Sequence, residues 1–179
     1  MAWLTNSGYL YKYDIQNPSL GAQSVSPEQY GAFNMAFNHD THELVMGLCK
    51  NNVTNDCDIY IWNMETNAKE AIVTDPFDQG NLDYDGHVIA YVDSQASGAR
   101  WFDSSLGEVR IVDRDTRVIR VVSPLDHNYG ASIWSHWMAF NNVGAWGDSV
   151  ILCDLLKGKF VDKDGHVVPA PDAGPDGGK

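Results

Sequence analysis

Apolar and polar positions along this chain fall into short runs that recur. Four segments match over six positions: Leu10-Tyr11-Lys12-Tyr13-Asp14-Ile15, Ile59-Tyr60-Ile61-Trp62-Asn63-Met64, Val109-Arg110-Ile111-Val112-Asp113-Arg114 and Val150-Ile151-Leu152-Cys153-Asp154-Leu155. Each is a stretch of apolar, mostly β-branched or aromatic residues with Asp or Asn at its fifth position. That pattern predicts a strand running into a turn, because Asp and Asn side chains accept hydrogen bonds from turn amides. The segments start 49, 50 and 41 residues apart, the span of a four-stranded antiparallel unit.

Three further families complete the unit. Met1-Ala2-Trp3, Met46-Gly47-Leu48, Ile89-Ala90-Tyr91 and Met138-Ala139-Phe140 precede the first family, and their small central residue predicts close approach of a neighbouring sheet. Short strands follow at Ala22 to Val25, Ala71 to Val73, Val118 to Val122 and, more weakly, Lys159 to Val161. After them come Phe33 to Phe37, Asn81 to Tyr84 and Ala131 to Trp134. Between outer and inner strands stand the loops Ser26 to Gly31, Thr74 to Gly80 and Ser123 to Gly130. In each, proline opens the loop and glycine closes it. No helical period competes. The chain therefore reads as all-β, a β-propeller of four-stranded antiparallel blades with an incomplete ring of about four blades. Residues 1–162 form the blades, as a partial blade 1–26 and blades 33–75, 81–123 and 131–162. Residues 163–179 form a Pro/Gly/Asp-rich tail, which lacks the apolar surface needed to order itself.

The stretch Asp58-Ile59-Tyr60-Ile61-Trp62-Asn63 through Thr74-Asp75-Pro76 to Asp83-Tyr84-Asp85-Gly86-His87-Val88-Ile89-Ala90-Tyr91 resembles the TolB-type, WD-like propeller repeat. The match is looser elsewhere, where His39-Asp40-Thr41-His42 and Ser135-His136 replace the Asp-Gly turn. The resemblance implies radially arranged sheets, a periplasmic or secreted setting and a binding scaffold; it implies no reaction. The chain departs from the family by starting at the second strand of a blade and holding about 3.75 blades. Either it is a piece of a longer protein or the ring closes between chains, two copies supplying roughly eight blades. In the second case Asp162 to Pro169, which echoes Asp83 to Ile89, is expected to cover a blade edge. The tail resembles the spacers of bacterial surface proteins, which also favours an extracytoplasmic parent.

Charge narrows the partners. Twelve Lys and Arg against 24 Asp and Glu give a net charge of -12 with no basic patch, which argues against nucleic acid. The longest apolar runs fall far short of the roughly 20 residues of a membrane helix, so no membrane insertion is expected. Cys49 and Cys57 flank a polar loop joining two adjacent strands. A bridge and two reduced thiols are both open readings, since strand register decides. Cys153 reads as an unpaired strand residue.

In a propeller the loops that carry Glu28, Gln29, Tyr30, Asp78, Gln79, Asp126, His127 and Tyr129 gather at one rim, and these eight are the expected binding site. Carboxylates interleaved with aromatic and amide groups suit a sugar, a cationic peptide or a divalent ion; solvated turn residues are the competing reading. His39 and His42 form the one close histidine pair, beside Asp40 and Glu43, and read as a polar turn before a metal site. Asp162-x-Asp164-Gly165 resembles the start of a calcium loop without its later ligands. Ser123, Asp126 and His127 share a loop, but no sequence mark makes them a triad. Trp62, Trp134, Trp137 and Tyr91 read as packing between blades. No catalytic residue, metal set or cofactor is nominated. The leading expectation is a non-enzymatic binding or scaffold module, self-associating as a homodimer or joined to another protein or a carbohydrate. A propeller lyase or hydrolase and a gene fragment are the alternatives.

Overall fold

The computed structural model describes residues 2–4, 9–24, 30–50, 57–76, 78–94, 107–123, 128–144, 147–162 and 164–171. Among these no α-helix occurs, and a single 3-10 turn lies at Pro18–Leu20. The first sheet holds β1 (Ala2–Leu4), β2 (Leu10–Lys12) and β3 (Gln23–Ser24); the second holds β4 (Tyr30–Asn38), β5 (Glu43–Lys50), β6 (Cys57–Asn63) and β7 (Lys69–Val73). The third is built from β8 (Gln79–Tyr84), β9 (Val88–Asp93), β10 (Glu108–Asp113) and β11 (Ile119–Ser123), and the fourth from β12 (Asn128–Trp134), β13 (Trp137–Gly144) and β14 (Gly147–Asp154). All neighbouring strands run antiparallel in chain order within each blade.

The turn reading of the recurring Asp and Asn holds in atomic detail. Asn63 Oδ1 accepts from the amides of Glu65 and Thr66, and Asp113 Oδ1 from those of Asp115 and Thr116. Asp154 does the same for Leu156, and Asp14 for Gln16. The innermost hairpins use the same device, with Asn38 and Asp85 each capping two amides. Gly86, at φ +107°, sits where an added Cβ would meet Asn38 Nδ2 at 2.9 Å.

Side chains alternate between two faces of each sheet, so every inner blade packs twice. Leu10 meets Met46 and Trp62 between the first and second blades. Val45, Ile59 and Ile61 meet Leu82, Ile89 and Tyr91 between the second and third. Ala90, Val109 and Ile111 meet Ile133, Met138 and Phe140 between the third and fourth. Each fully buried large aliphatic or aromatic side chain contributes about 1.5–3 kcal/mol, so these layers are what hold the blades together. The small residue of the second strand works as expected at Gly47, where a Cβ would lie 3.2 Å from the Gln79 carbonyl oxygen of the next blade.

Three differences from the sequence reading stand out. First, the innermost strands begin earlier. Tyr30, Gln79 and Tyr129, expected in loops, are strand residues paired with Lys50, Asp93 and Asn141. A register shift follows in each strand, at Ala32/Met35, Gly80/Asp83 and Tyr129/Ala131, and it breaks the alternation by which the sequence would have shown them.

Second, β15 (Phe160–Val161), expected as the outer strand of the last blade, pairs instead with β11 of the third blade, and β16 (Val167–Val168) pairs with β15. The anchor is apolar: Leu155 and Phe160 are buried in the layer between the third and fourth blades and draw the chain across. Arg120 Nε then donates to the Pro169 carbonyl at 2.6 Å. The blade edge at β11 is thus paired by Val161, and the stretch Asp162 to Pro169, expected to cover an edge itself, pairs through β16 with β15.

Third, Trp62 and Tyr91 are buried between blades as expected, but Trp134 and Trp137 are exposed because, among the described residues, no sheet lies over that face of the fourth blade. Cys49 and Cys57 face each other across β5 and β6 and form a disulfide, while Cys153 is a free thiol.

Candidate functional site

At one end of the third blade, β10 carries a guanidinium where the second and fourth blades have Tyr60 and Ile151. Arg110 is buried; its Nη1 donates to Asp93 Oδ2 at 2.7 Å, and its Nε and Nη2 donate to Glu108 Oε2 at 2.9 and 2.6 Å. Asp75, in the loop that enters the blade, lies 3.9 Å from Nη1. The placement follows from strand geometry. Glu108 and Arg110 share a face of β10, and the register sets Glu108 opposite Asp93 and Arg110 opposite Tyr91.

Three carboxylates thus face one guanidinium, leaving an acidic surplus. Asp93 is sealed from solvent, whereas the side chains of Asp75 and Glu108 stay partly exposed at 17% and 16%. Burial pushes the Tyr91 hydroxyl far above its ordinary range, and the Asp93 charge pushes it further.

The loop itself is locked from behind. The Asp78 amide donates to Ser94 Oγ at 3.1 Å, and the Ser94 amide returns a bond to the Asp78 carbonyl at 3.0 Å. Gln79 Nε2 donates to the carbonyls of Asp75 and Pro76 at 3.1 and 3.4 Å. In the fourth blade Asn128 plays this part, donating to the Gly107 carbonyl and to Ser123 Oγ and accepting from Asn142 Nδ2.

The expected rim residues are therefore distributed unevenly. Asp78 and Gln79 lie at this end but are buried and bonded into the loop. Tyr30 opens β4 at the corresponding end of the second blade, and Tyr129 is half-buried on β12. Glu28, Gln29, Asp126 and His127 lie outside the described residues. The residues the sequence reading missed are Asp75, Asp93, Glu108 and Arg110. One signal was there to be used: an arginine inside the apolar run Val109-Arg110-Ile111-Val112 must be neutralised if the run is buried.

The other candidates resolve into turns. His42 Nδ1 pairs with Glu65 at 2.9 Å and His39 with its neighbour Asp40 at 3.5 Å, all in exposed hairpins. Asp162, Asp164 and His166 bring ligand-type atoms within 4.8 Å of one another. Asp162 Oδ1 there accepts from the amides of Asp164 and His166, a turn cap that accounts for the cluster. His87 sits in the β8–β9 hairpin, at the opposite end of the strands from Arg110. A further polar link joins blades at that far end. Buried Glu43 accepts from Arg114 and, at 2.6 Å, from the Tyr84 hydroxyl.

No protein-family model matches the chain, and no curated protein sequence matches it. Solved structures do. TolB from Acinetobacter baumannii superposes with a TM-score of 0.63 at 14% identity, over 86% of this chain and 37% of that one. A chain of the nidogen/laminin complex gives 0.60 at 13%, over 94% and 62%. A prolyl endopeptidase gives 0.63 at 13%, over 96% and 26%. The chain spans less than two thirds of each of these relatives. Joined to the separate antiparallel sheets packed face to face, these likenesses show that the chain is an all-β protein with a β-propeller fold, and about four blades of an incomplete ring are compatible with them.

Proposed function

We propose that this chain is a non-enzymatic propeller module built on TolB-type repeats, that it self-associates, and that it binds a cationic segment of another protein at the loop end of the third blade. The observation that carries the reading is the arrangement around Arg110. One guanidinium is shared by Asp75, Asp93 and Glu108, two of which reach solvent, behind a loop held rigid by Asp78, Gln79 and Ser94. A pre-set acidic surface loses little entropy on binding a basic partner, and its charge speeds encounter. The Cys49–Cys57 disulfide supports an oxidising, extracytoplasmic setting.

The test is a thermal-shift and calorimetric comparison of a Lys/Arg-rich peptide, neutral oligosaccharides and divalent ions. The peptide is expected to bind, more weakly as salt rises, and to lose about tenfold in affinity in Glu108→Gln, the effect of one charge-assisted contact of about 1.4 kcal/mol. Binding by oligosaccharide alone would replace the partner class. A stoichiometric metal lost in His127→Ala would overturn the non-enzymatic reading.

A further inference from the structure

The fourth blade exposes a face that the preceding blades bury. Val150 and Leu152 on β14 occupy the repeat positions of Val109 and Ile111 on β10 and of Ile59 and Ile61 on β6. Val109, Ile111 and Ile59 are 0% exposed and Ile61 is 4% exposed, each covered by the next blade; Val150 and Leu152 are 72% and 67% exposed. Trp134 and Trp137, paired with each other across β12 and β13, are also exposed, and Trp137 is opposite Asp154 in the register that sets Leu152 opposite Ala139. β14 ends its sheet, because β15 has crossed to β11. The same surface that receives a blade at Leu10, at Ile59 and at Val109 is thus exposed at Val150.

The opposite end of the array offers the matching half. Leu10 faces the second blade, so the alternate residue Tyr11, in register with Trp3, marks the face of the first blade turned away from it. Tyr11 stands at the repeat position of Tyr60, Arg110 and Ile151, the face on which a preceding blade rests.

We infer that the first blade of a second copy packs on the exposed face of the fourth blade, and that two such contacts about a twofold axis close a ring of two chains. The inference deepens the self-association in the proposed function and names its surfaces. Continuity with the blade-to-blade layers selects this occupant, because each of those layers sets a blade against this same surface and the first blade has, at Tyr11, the face by which a blade rests on its predecessor. Each copy has a net charge of -12, so the contact must be apolar and is weakened by mutual repulsion at low salt.

Light scattering coupled to size exclusion tests this on the full chain. The expected mass is twice 19.8 kDa, with the dimer strengthened between about 0.01 M and about 1 M salt as screening shortens. Leu152→Asp and Val150→Asp, both at exposed positions, should give monomers with unchanged thermal unfolding. Tyr11→Asp, at a half-buried position whose unfolding is measured alongside, should also give a monomer, and an equimolar mixture of Leu152→Asp with Tyr11→Asp should recover a two-chain species through its one intact contact. A wild-type monomer at all salts, a dimer that survives Leu152→Asp, or species larger than two chains would overturn the inference. Peptide binding at Glu108 is read separately, so the two readings fail independently.

Discussion

The Arg114 guanidinium of the third blade closes over the Glu43 carboxylate of the second, 71 residues away in sequence, with Nε 3.2 Å from Oε2. Tyr84 adds a third group, its hydroxyl donating to the same oxygen at 2.6 Å. Burial alone would raise the Glu43 pKa, but the bonds from Arg114 and Tyr84 outweigh it and hold the carboxyl below its ordinary 4.5.

That sign gives an acid dependence. A carboxylate whose folded pKa is depressed contributes stability that is fully present above its unfolded value of 4.5 and is lost as pH falls through the folded one. Urea unfolding midpoints should therefore fall on acidification below about pH 4.5, and Glu43→Gln should lower stability near neutrality by about 1–3 kcal/mol while flattening the acid limb. An unchanged midpoint at neutral pH would show that the link between blades contributes nothing.

Arg110→Ala should be among the most damaging single changes. It leaves Asp93 charged, buried and without its 2.7 Å partner, and Glu108 without two bonds. Breaking such a buried pair costs about 3–5 kcal/mol, measured as the shift in chemical denaturation. The double variant Arg110→Ala with Asp93→Asn should recover part of the loss.

The disulfide is read by alkylation. Under denaturing, non-reducing conditions one thiol, Cys153, should be labelled, and after reduction Cys49 and Cys57 should follow. Replacing both bridged cysteines by serine should reduce stability by about 2.5 kcal/mol, the entropy of closing so short a loop. In the folded protein Cys153 should react slowly, since burial pushes its thiol pKa up.

Gly47 and Gly80 make a matched pair. An added Cβ at Gly47 would lie 3.2 Å from the Gln79 carbonyl oxygen, whereas at Gly80 nothing lies within 4 Å. Gly47→Ala should cost about 1–3 kcal/mol by forcing two blades apart, and Gly80→Ala should be tolerated by comparison. Equal effects would refute the close approach.

How far the molecule could be read in advance depended on the range of the interaction involved. The recurring Asp14, Asn63, Asp113 and Asp154 act within two or three residues of themselves, so their turns were legible directly. So were the strands and their recurrence, because alternation is a local consequence of the pleat. The same reasoning missed the early starts of β4, β8 and β12, since a bulge interrupts that alternation within each strand.

By itself, then, the amino-acid order determined the all-β class, the blade unit and its turns, all of them properties of neighbours along the chain. Only tertiary packing decided that Phe160 would be buried between two blades and carry its strand to β11, that Arg110 would gather Asp75, Asp93 and Glu108, and that Val150 and Leu152 would remain bare. Those outcomes turn on which surfaces meet across separations such as 17 residues for Arg110 and Asp93 or 40 for Val121 and Val161, where burial of apolar area and neutralisation of buried charge choose among pairings that the local pattern leaves equivalent.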